Sequence, residues 1–261
     1  MENLNGYLRL LIERKIVIIV MIFRKLLHKV YFFLYERKYA GRLRYVFRSN
    51  NSRRLVVVFS GFPTDNKPVY NYMRTLRNKK YDKLFILDDF GYKGSYYLYE
   101  NGSDYVSKLV ESLIHKFLIR GGYSNVIFVG SSKGGTAAIY YGLKFKVNAI
   151  YAGACQYYIG DYLRHPEFEP IFIGMTSKRY SEEMRLSLNE IIPQQVKKSA
   201  NTDSIVHLLY SKDEHTYDEH IKGLISDLNK YNIPYTERIE SFVNHADVGM
   251  YFSEYLKNEL Y

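Results

Sequence analysis

The chain is short of several things. In 261 residues there is one cysteine, no tryptophan, only six prolines and no long hydrophobic run. A single thiol, Cys155, cannot close an internal disulfide and gives no sign of an oxidising compartment. The longest unbroken apolar run, residues 16–23, has eight residues. A membrane-crossing helix needs about eighteen or more, so none is expected. There is no Pro-rich or Gly/Ser-rich linker and no internal repeat. What is present is a globular composition: 47% of residues are hydrophobic, which rules out a disordered chain. The length suits one large domain better than two small ones.

Negative charge is scarce in only one place. Residues 1–54 carry 13 Lys/Arg against three Glu, while the remainder carries 24 of each sign. The whole net charge of +10 therefore sits in the N-terminal segment. A nucleic-acid-binding body would need a basic face of its own, so no nucleic acid is expected as a partner. The run at 16–23 is followed by Arg24, Lys25 and more large apolar residues instead of a small-residue cleavage site, which argues against a secretory signal. Two readings of the segment stay open. It is a basic helix making peripheral contact with an anionic membrane surface, or it is a helix that packs on the domain or on another copy.

From residue 55 onward, short continuous apolar runs alternate with helical patterns. Strands are expected at 55–59, 84–87, 126–129, 149–152, 205–210 and 234–242. Helices are expected from 106 to 117 (stopped by Gly121-Gly122), from 133 to 143, from a Thr216–Glu219 capping box to 231, and from 246 to 260. Continuous Val/Ile/Leu/Phe strands separated by helices mean a mostly parallel central sheet with helices on both faces. Such sheets carry their chemistry at the carboxyl ends of strands.

One strand end stands out. Residues 130–135 read Gly-Ser-Ser-Lys-Gly-Gly, a G-x-S-x-G pattern centred on Ser132 between a buried strand and a helix. The turn is so tight that side chains at 130 and 134 would collide, and glycine removes them. Ser132 is then the expected nucleophile, with the Lys133 N–H donating to an oxyanion. A phosphate loop places its Lys after the glycines, so that reading fails. A serine needs a histidine to take its proton and an acid to orient the histidine, in chain order Ser, acid, His. Asp213, just past the strand at 205–210, is the expected acid, with Glu214, Asp218 and Asp161 as rivals. His245, in the loop before the last helix, is the expected base. The loop after the first core strand, Ser60-Gly61-Phe62-Pro63, is expected to give the second oxyanion donor through the N–H of Phe62, because Pro63 has none.

Taken together, these residues resemble the α/β-hydrolase superfamily, over roughly residues 55–260. The stretches FSGFP, DDFGYKGSYYLYENG, VGSSKGG and AGACQYYIGDYL are similar to capsular-polysaccharide proteins of the XcbB/CpsF type and to glycan O-acetyltransferases, including the one attached to accessory-Sec glycoprotein export. The resemblance implies acetyl transfer from acetyl-CoA, as acyl-donor substrate, through an acyl-serine to a hydroxyl of a polysaccharide acceptor. It implies neither a bound cofactor nor a metal, and a cytoplasmic location, either free or at the inner membrane face. On this reading, residues 1–54 form a basic helical segment with a leading strand. Residues 55–261 form the hydrolase-like domain, with a lid insertion at about 156–203. Tyr157, Tyr158 and Tyr162 are candidates to stack on sugar rings, or to fill the lid's own core. Asp88 is a candidate to bind acceptor hydroxyls, or to cap its turn. Two other functions stay open: a serine esterase or thioesterase built on the same triad, and a non-catalytic interaction protein that keeps the fold.

Overall fold

The computed structural model describes Val17, Val20, Phe23, residues 32–63 and residues 67–260. The chain divides into two compact units, Met1–Arg37 and Lys38–Tyr261. The two readings of the basic N-terminal segment fall almost wholly outside the described residues. Val17, Val20 and Phe23 are helical, with exposed side chains. Among the described residues no helix is long and apolar enough to cross a membrane.

The strands are β1 (Glu36–Tyr39), β2 (Leu43–Arg48), β3 (Arg54–Phe59), β4 (Asp82–Ile86), β5 (Asn125–Ser131), β6 (Ala149–Gly153), β7 (Ile205–Ser211) and β8 (Tyr235–Glu240). They form one sheet in the order β1-β2-β4-β3-β5-β6-β7-β8. From β4 to β8 all neighbours are parallel, and β2 runs antiparallel to β4. Parallel pairing requires a crossover between strands, and helices supply most of them. The continuous apolar strands behave as their composition demands. Leu55–Phe59 of β3 and all of β4 are buried, because both sheet faces are covered. The far edge, β8, reads Tyr-Thr-Glu-Arg-Ile-Glu and is half-exposed or exposed throughout, a charged edge that discourages pairing with another chain. Residues 43–48, assigned above to the N-terminal segment, belong to this sheet as β2.

Helix α1 (Tyr105–Gly121) buries Val106, Leu109, Val110, Leu113 and Ile114 and ends at Gly122 in the left-handed region. Helix α2 (Lys133–Phe145) is buried at ten of its thirteen positions and packs on β3, β5 and β6. The insertion between β6 and β7 folds as four short helices: α3 (Ile159–Tyr162), α4 (Glu169–Thr176), α5 (Glu182–Asn189) and α6 (Ile191–Lys198). Ser181 caps α5 by accepting the Met184 N–H at 3.3 Å. Pro193 sits in the first turn of α6, where its missing N–H leaves no bond unmade. Helices α7 (Lys222–Lys230) and α8 (Val248–Glu259) complete the unit. Thr216 was expected to cap the helix leading to residue 231. It makes no cap bond, the helix opens with a π-turn at Tyr217–Ile221, and the Thr216 hydroxyl is used elsewhere.

Candidate active site

The turn from β5 into α2 holds Ser132 at φ 54°, ψ −131°, a conformation that L-residues rarely adopt. The flanking glycines have a measurable reason. A Cβ on Gly130 would lie 2.2 Å from the Gly134 carbonyl oxygen, and one on Gly134 would lie 2.4 Å from the Phe59 carbonyl oxygen. Only glycine lets the elbow close on itself and on the end of β3. The strain is held by the Ser132 N–H donating to Gly153 O at 2.7 Å and by Ser132 O accepting from Gly135 N at 2.8 Å.

His245 lies in a short 3-10 turn just before α8. Its Nε2 is 2.8 Å from Ser132 Oγ and its Nδ1 is 3.1 Å from Glu214 Oε1. With Nδ1 donating to the carboxylate, Nε2 offers its lone pair to the serine hydroxyl. The structure thus brings Ser132 and His245 together, while the expected acid is displaced by one residue. Asp213 is exposed, and its carboxylate accepts from Ser241 Oγ at 3.3 Å. Glu214, fully buried, takes the position against His245. The turn after β7 points residue 213 outward and residue 214 inward. Burial pushes the Glu214 carboxyl pKa up. Hydrogen bonds from His245 and Thr216, and the charges of His245 and His215, outweigh that and hold it below its usual value. Thr216, freed from capping, gives its hydroxyl to Glu214 Oε2.

His215 Nε2 also stands 3.1 Å from Glu214 Oε1, so two imidazoles crowd one carboxylate oxygen. Among the described residues this trio is the group whose spacing suits a metal ion. An ion there would displace the His245 N–H from Glu214 and so break the contact that orients the ring.

Phe62 and Lys133, the expected oxyanion donors, lie on adjoining segments. A Cβ on Gly61 would stand 3.4 Å from Ser131 O, so the loop after β3 runs directly against the elbow. The Lys133 side chain, which the sequence reading left unused, is buried. Its ammonium meets Asp88 Oδ2 at 2.7 Å and lies 5.3 Å from the Phe62 ring and 5.1 Å from the Tyr97 ring. Asp88 is thus engaged by partners within the fold. It is 2% exposed and also accepts from Ser95 N (2.8 Å), Ser95 Oγ (3.1 Å) and Tyr97 N (3.1 Å). Of the two readings of Asp88, the turn-holding one fits.

The tyrosines divide in the same way. Tyr157 is buried, and its hydroxyl donates to Asp227 Oδ2 at 2.6 Å. Tyr158 packs its hydroxyl end on Gly223, and its ring centroid is 6.2 Å from that of His220. Tyr157 is thus part of the core, while Tyr158 stays half-buried. The rings grouped by the site are Phe62, Tyr162 and Phe168, mutually stacked at centroid distances of 4.9–6.3 Å, with Tyr162 6.3 Å from the His245 ring. Gln156 was read only as the start of the lid. It is completely buried, and its Nε2 donates to Ser132 Oγ at 3.0 Å. The strand-end rule that picked out Ser132 would also have picked out this residue, three positions past β6.

His220, beneath the same cluster, is completely buried. Its Nε2 has no hydrogen-bond partner among the described residues, and Glu219 Oε2 stands 3.9 Å away. Burial pulls its pKa from 6.5 down to about 4. Below pH 6.5 the unfolded chain takes up a proton that the folded one refuses. Stability therefore falls as pH drops from 6.5 towards 4, by roughly 3 kcal/mol from this group when complete. Thermal denaturation across that window should show His220→Gln markedly less acid-sensitive than the natural protein. Equal acid sensitivity would contradict this account.

No protein-family model matches the sequence, and no functionally curated protein does. Solved structures do match. A capsule O-acetyltransferase of Neisseria meningitidis serogroup A superposes with a TM-score of 0.72 at 21% identity, covering 86% of this chain and 93% of that one. The chain has the α/β-hydrolase fold. A fluorophosphonate-binding serine hydrolase of Staphylococcus aureus aligns with a TM-score of 0.60 at 13% identity, over 84% of this chain and 90% of that one. A glycosylation-associated protein complex of Streptococcus agalactiae gives 0.68 at 19%, over 86% of this chain and 46% of that one. In α/β-hydrolase terms, Ser132 sits at the nucleophile elbow, His245 follows the last strand, and Glu214 follows the strand before it.

Proposed function

We propose that this chain is a serine-dependent O-acetyltransferase acting on a capsular or other surface polysaccharide, with acetyl-CoA as donor. The observation that carries the reading is the contact series Ser132 Oγ–His245 Nε2 and His245 Nδ1–Glu214 Oε1, at 2.8 and 3.1 Å, in a strained elbow. The likeness of the fold to a capsule O-acetyltransferase supports the choice of acceptor class.

In this reading His245 takes the Ser132 proton as Oγ attacks the thioester carbonyl. The N–H groups of Lys133 and Phe62 receive the negative oxygen. The tetrahedral adduct collapses, the C–S bond breaks, and His245 returns the proton to the departing thiolate. A sugar hydroxyl then attacks the acyl-serine, giving its proton to His245, and Ser132 Oγ leaves with that proton. Glu214, buried and held ionised by Thr216 and its two histidines, steadies the imidazolium at each stage. Phe62 and Phe168, half-buried and stacked on the buried Tyr162, supply ring surface beside the site for a sugar face or for the donor's thioester arm. Because acetyl-CoA is a cytoplasmic metabolite, the reaction belongs there. The basic N-terminal segment would serve as a peripheral membrane or self-association element.

The test is incubation with acetyl-CoA, with and without candidate glycans, reading free CoA and acetyl on sugar. Glycan-dependent CoA release with acetylated sugar is the expected result. Equal release without glycan would replace the reading with that of a serine esterase or thioesterase. The absence of any Ser132 labelling by a fluorophosphonate would replace it with a non-catalytic role.

A further inference from the structure

Gln156 occupies a position that the Ser–His–Glu relay does not require. Its Nε2 is 3.0 Å from Ser132 Oγ and 3.3 Å from His245 Nε2, and those two atoms are themselves 2.8 Å apart. The three polar atoms form a nearly equilateral triangle. The residue is fixed from behind by Thr136 of α2, which donates to Gln156 O at 2.9 Å and accepts the Gln156 N–H at 3.0 Å. Its side chain has no exposure to solvent.

The chemistry of the acyl-serine says what else would take that place. Once Ser132 Oγ is an ester oxygen, the molecule that resolves it needs an O–H in reach of His245 Nε2 and close to the acyl carbon. A water touching both Oγ and Nε2 would stand where the Gln156 amide stands. An amide nitrogen cannot replace it as nucleophile, because its lone pair is delocalised into the carbonyl.

We propose that Gln156 is the residue that favours transfer over hydrolysis. Its carboxamide fills the inner approach to the acyl-serine, leaving only the solvent-facing approach, which a bound sugar acceptor covers. The proposal rests on the acyltransferase reading above. Truncating the side chain would leave a void lined by the Ser132 oxygen, His245 Nε2 and the Thr136 hydroxyl, three polar partners that suffice to hold one water. That water would give a proton to His245 and attack the acyl carbon. Collapse would break the C–Oγ bond, return the proton to Oγ and release the free acid.

The experiment measures the lifetime of acyl-Ser132 by intact-protein mass after a pulse of p-nitrophenyl acetate or acetyl-CoA, without acceptor. Three variants are compared with the natural protein: Gln156→Ala, Gln156→Ser as a second opening variant in case the first does not fold, and Gln156→Met, which keeps the volume but loses the donor. The opening variants should lose acyl at least about tenfold faster, a fraction of the ~10²-fold that a held general base supplies. The Met variant should keep the long lifetime. If the opening variants keep their acyl group as long as the natural protein, or if Met shortens the lifetime as much as Ala does, the proposal is wrong and the amide acts only as a hydrogen-bond donor. If the natural protein takes no acyl group onto Ser132 from either donor, the acyltransferase reading itself fails, and this proposal with it.

Discussion

Ser132→Ala should reduce acyl transfer to background, and Glu214→Gln should come close to it. The serine oxygen is the atom that carries the acyl group, so its removal leaves only the binding and oxyanion contributions, a loss on the order of 10⁴-fold or more. The folded state changes little, because the retained contacts at the elbow are backbone ones: Ser132 N to Gly153 O and Gly135 N to Ser132 O. Glu214→Gln is the more discriminating variant. It keeps the size of the buried side chain but offers an N–H or a weaker acceptor to His245 Nδ1. The imidazole is then pushed towards the tautomer that cannot take the Ser132 proton, an effect of about 10⁴-fold where an orienting carboxylate has been neutralised elsewhere. Asp213→Asn, by contrast, loses only an exposed contact with Ser241 Oγ and should stay within about twofold of the natural rate. Rates measured with a chromogenic acetyl ester, with folding checked by thermal denaturation, decide the matter. A large loss in Asp213→Asn with a small one in Glu214→Gln would return the acid role to Asp213.

That one-residue displacement illustrates what a sequence can and cannot carry. Ser132 and the flanking glycines were legible because their identities follow from a steric demand: a Cβ at 130 or 134 would fall within 2.4 Å of a carbonyl oxygen. His245 was legible because topology leaves few places from which an imidazole reaches the elbow. The acid was not, since Asp213 and Glu214 are both carboxylates past the same strand. Which one turns inward depends on the φ/ψ values of a short turn, and no composition rule encodes those. The capping-box reading of Thr216 failed for the same reason, because a hydroxyl can serve a helix end or a nearby buried carboxylate and the sequence does not rank them. A leading strand was expected within the basic residues 1–54, but the bounds of β2 were not legible. Its Leu43 and Val46 are buried, but they stand three residues apart with Arg44 and Tyr45 between them, so no period-two alternation marks the strand. Lys133 was read for its backbone alone, because a lysine next to the nucleophile looks like a surface residue until the partner beneath it is seen.

That buried lysine carries the largest expected effect on stability. Lys133 Nζ and Asp88 Oδ2 meet at 2.7 Å with neither side chain exposed. Burial pulls the Lys133 pKa down, and Asp88 opposes the pull. The two ends of this pair are unequally supported. Asp88 also accepts two backbone N–H groups and the Ser95 hydroxyl. Among the described residues, the Lys133 ammonium has that single hydrogen-bonded carboxylate and the two ring faces of Phe62 and Tyr97. Removing the carboxylate strands a cation in an apolar pocket, and removing the ammonium leaves a carboxylate that keeps three donors. Asp88→Ala should therefore destabilise by about 3–5 kcal/mol, and Lys133→Met by clearly less. The Asp88→Ala/Lys133→Met double variant should recover part of the Asp88→Ala loss, because no charge is then left unpaired. Denaturant unfolding of the three variants reads this directly, and a double variant less stable than Asp88→Ala would contradict it. The loss should also reach the chemistry. Asp88 holds Tyr97, whose hydroxyl accepts the Ser60 N–H at 2.5 Å, and Ser60 leads into the Gly61–Phe62 loop that faces the elbow. A pair that looks like core structure thus fixes both segments proposed to receive the oxyanion. Wherever Asp88→Ala remains folded, its turnover should fall further than its substrate binding, because misplacement of a donor is felt mainly in the transition state.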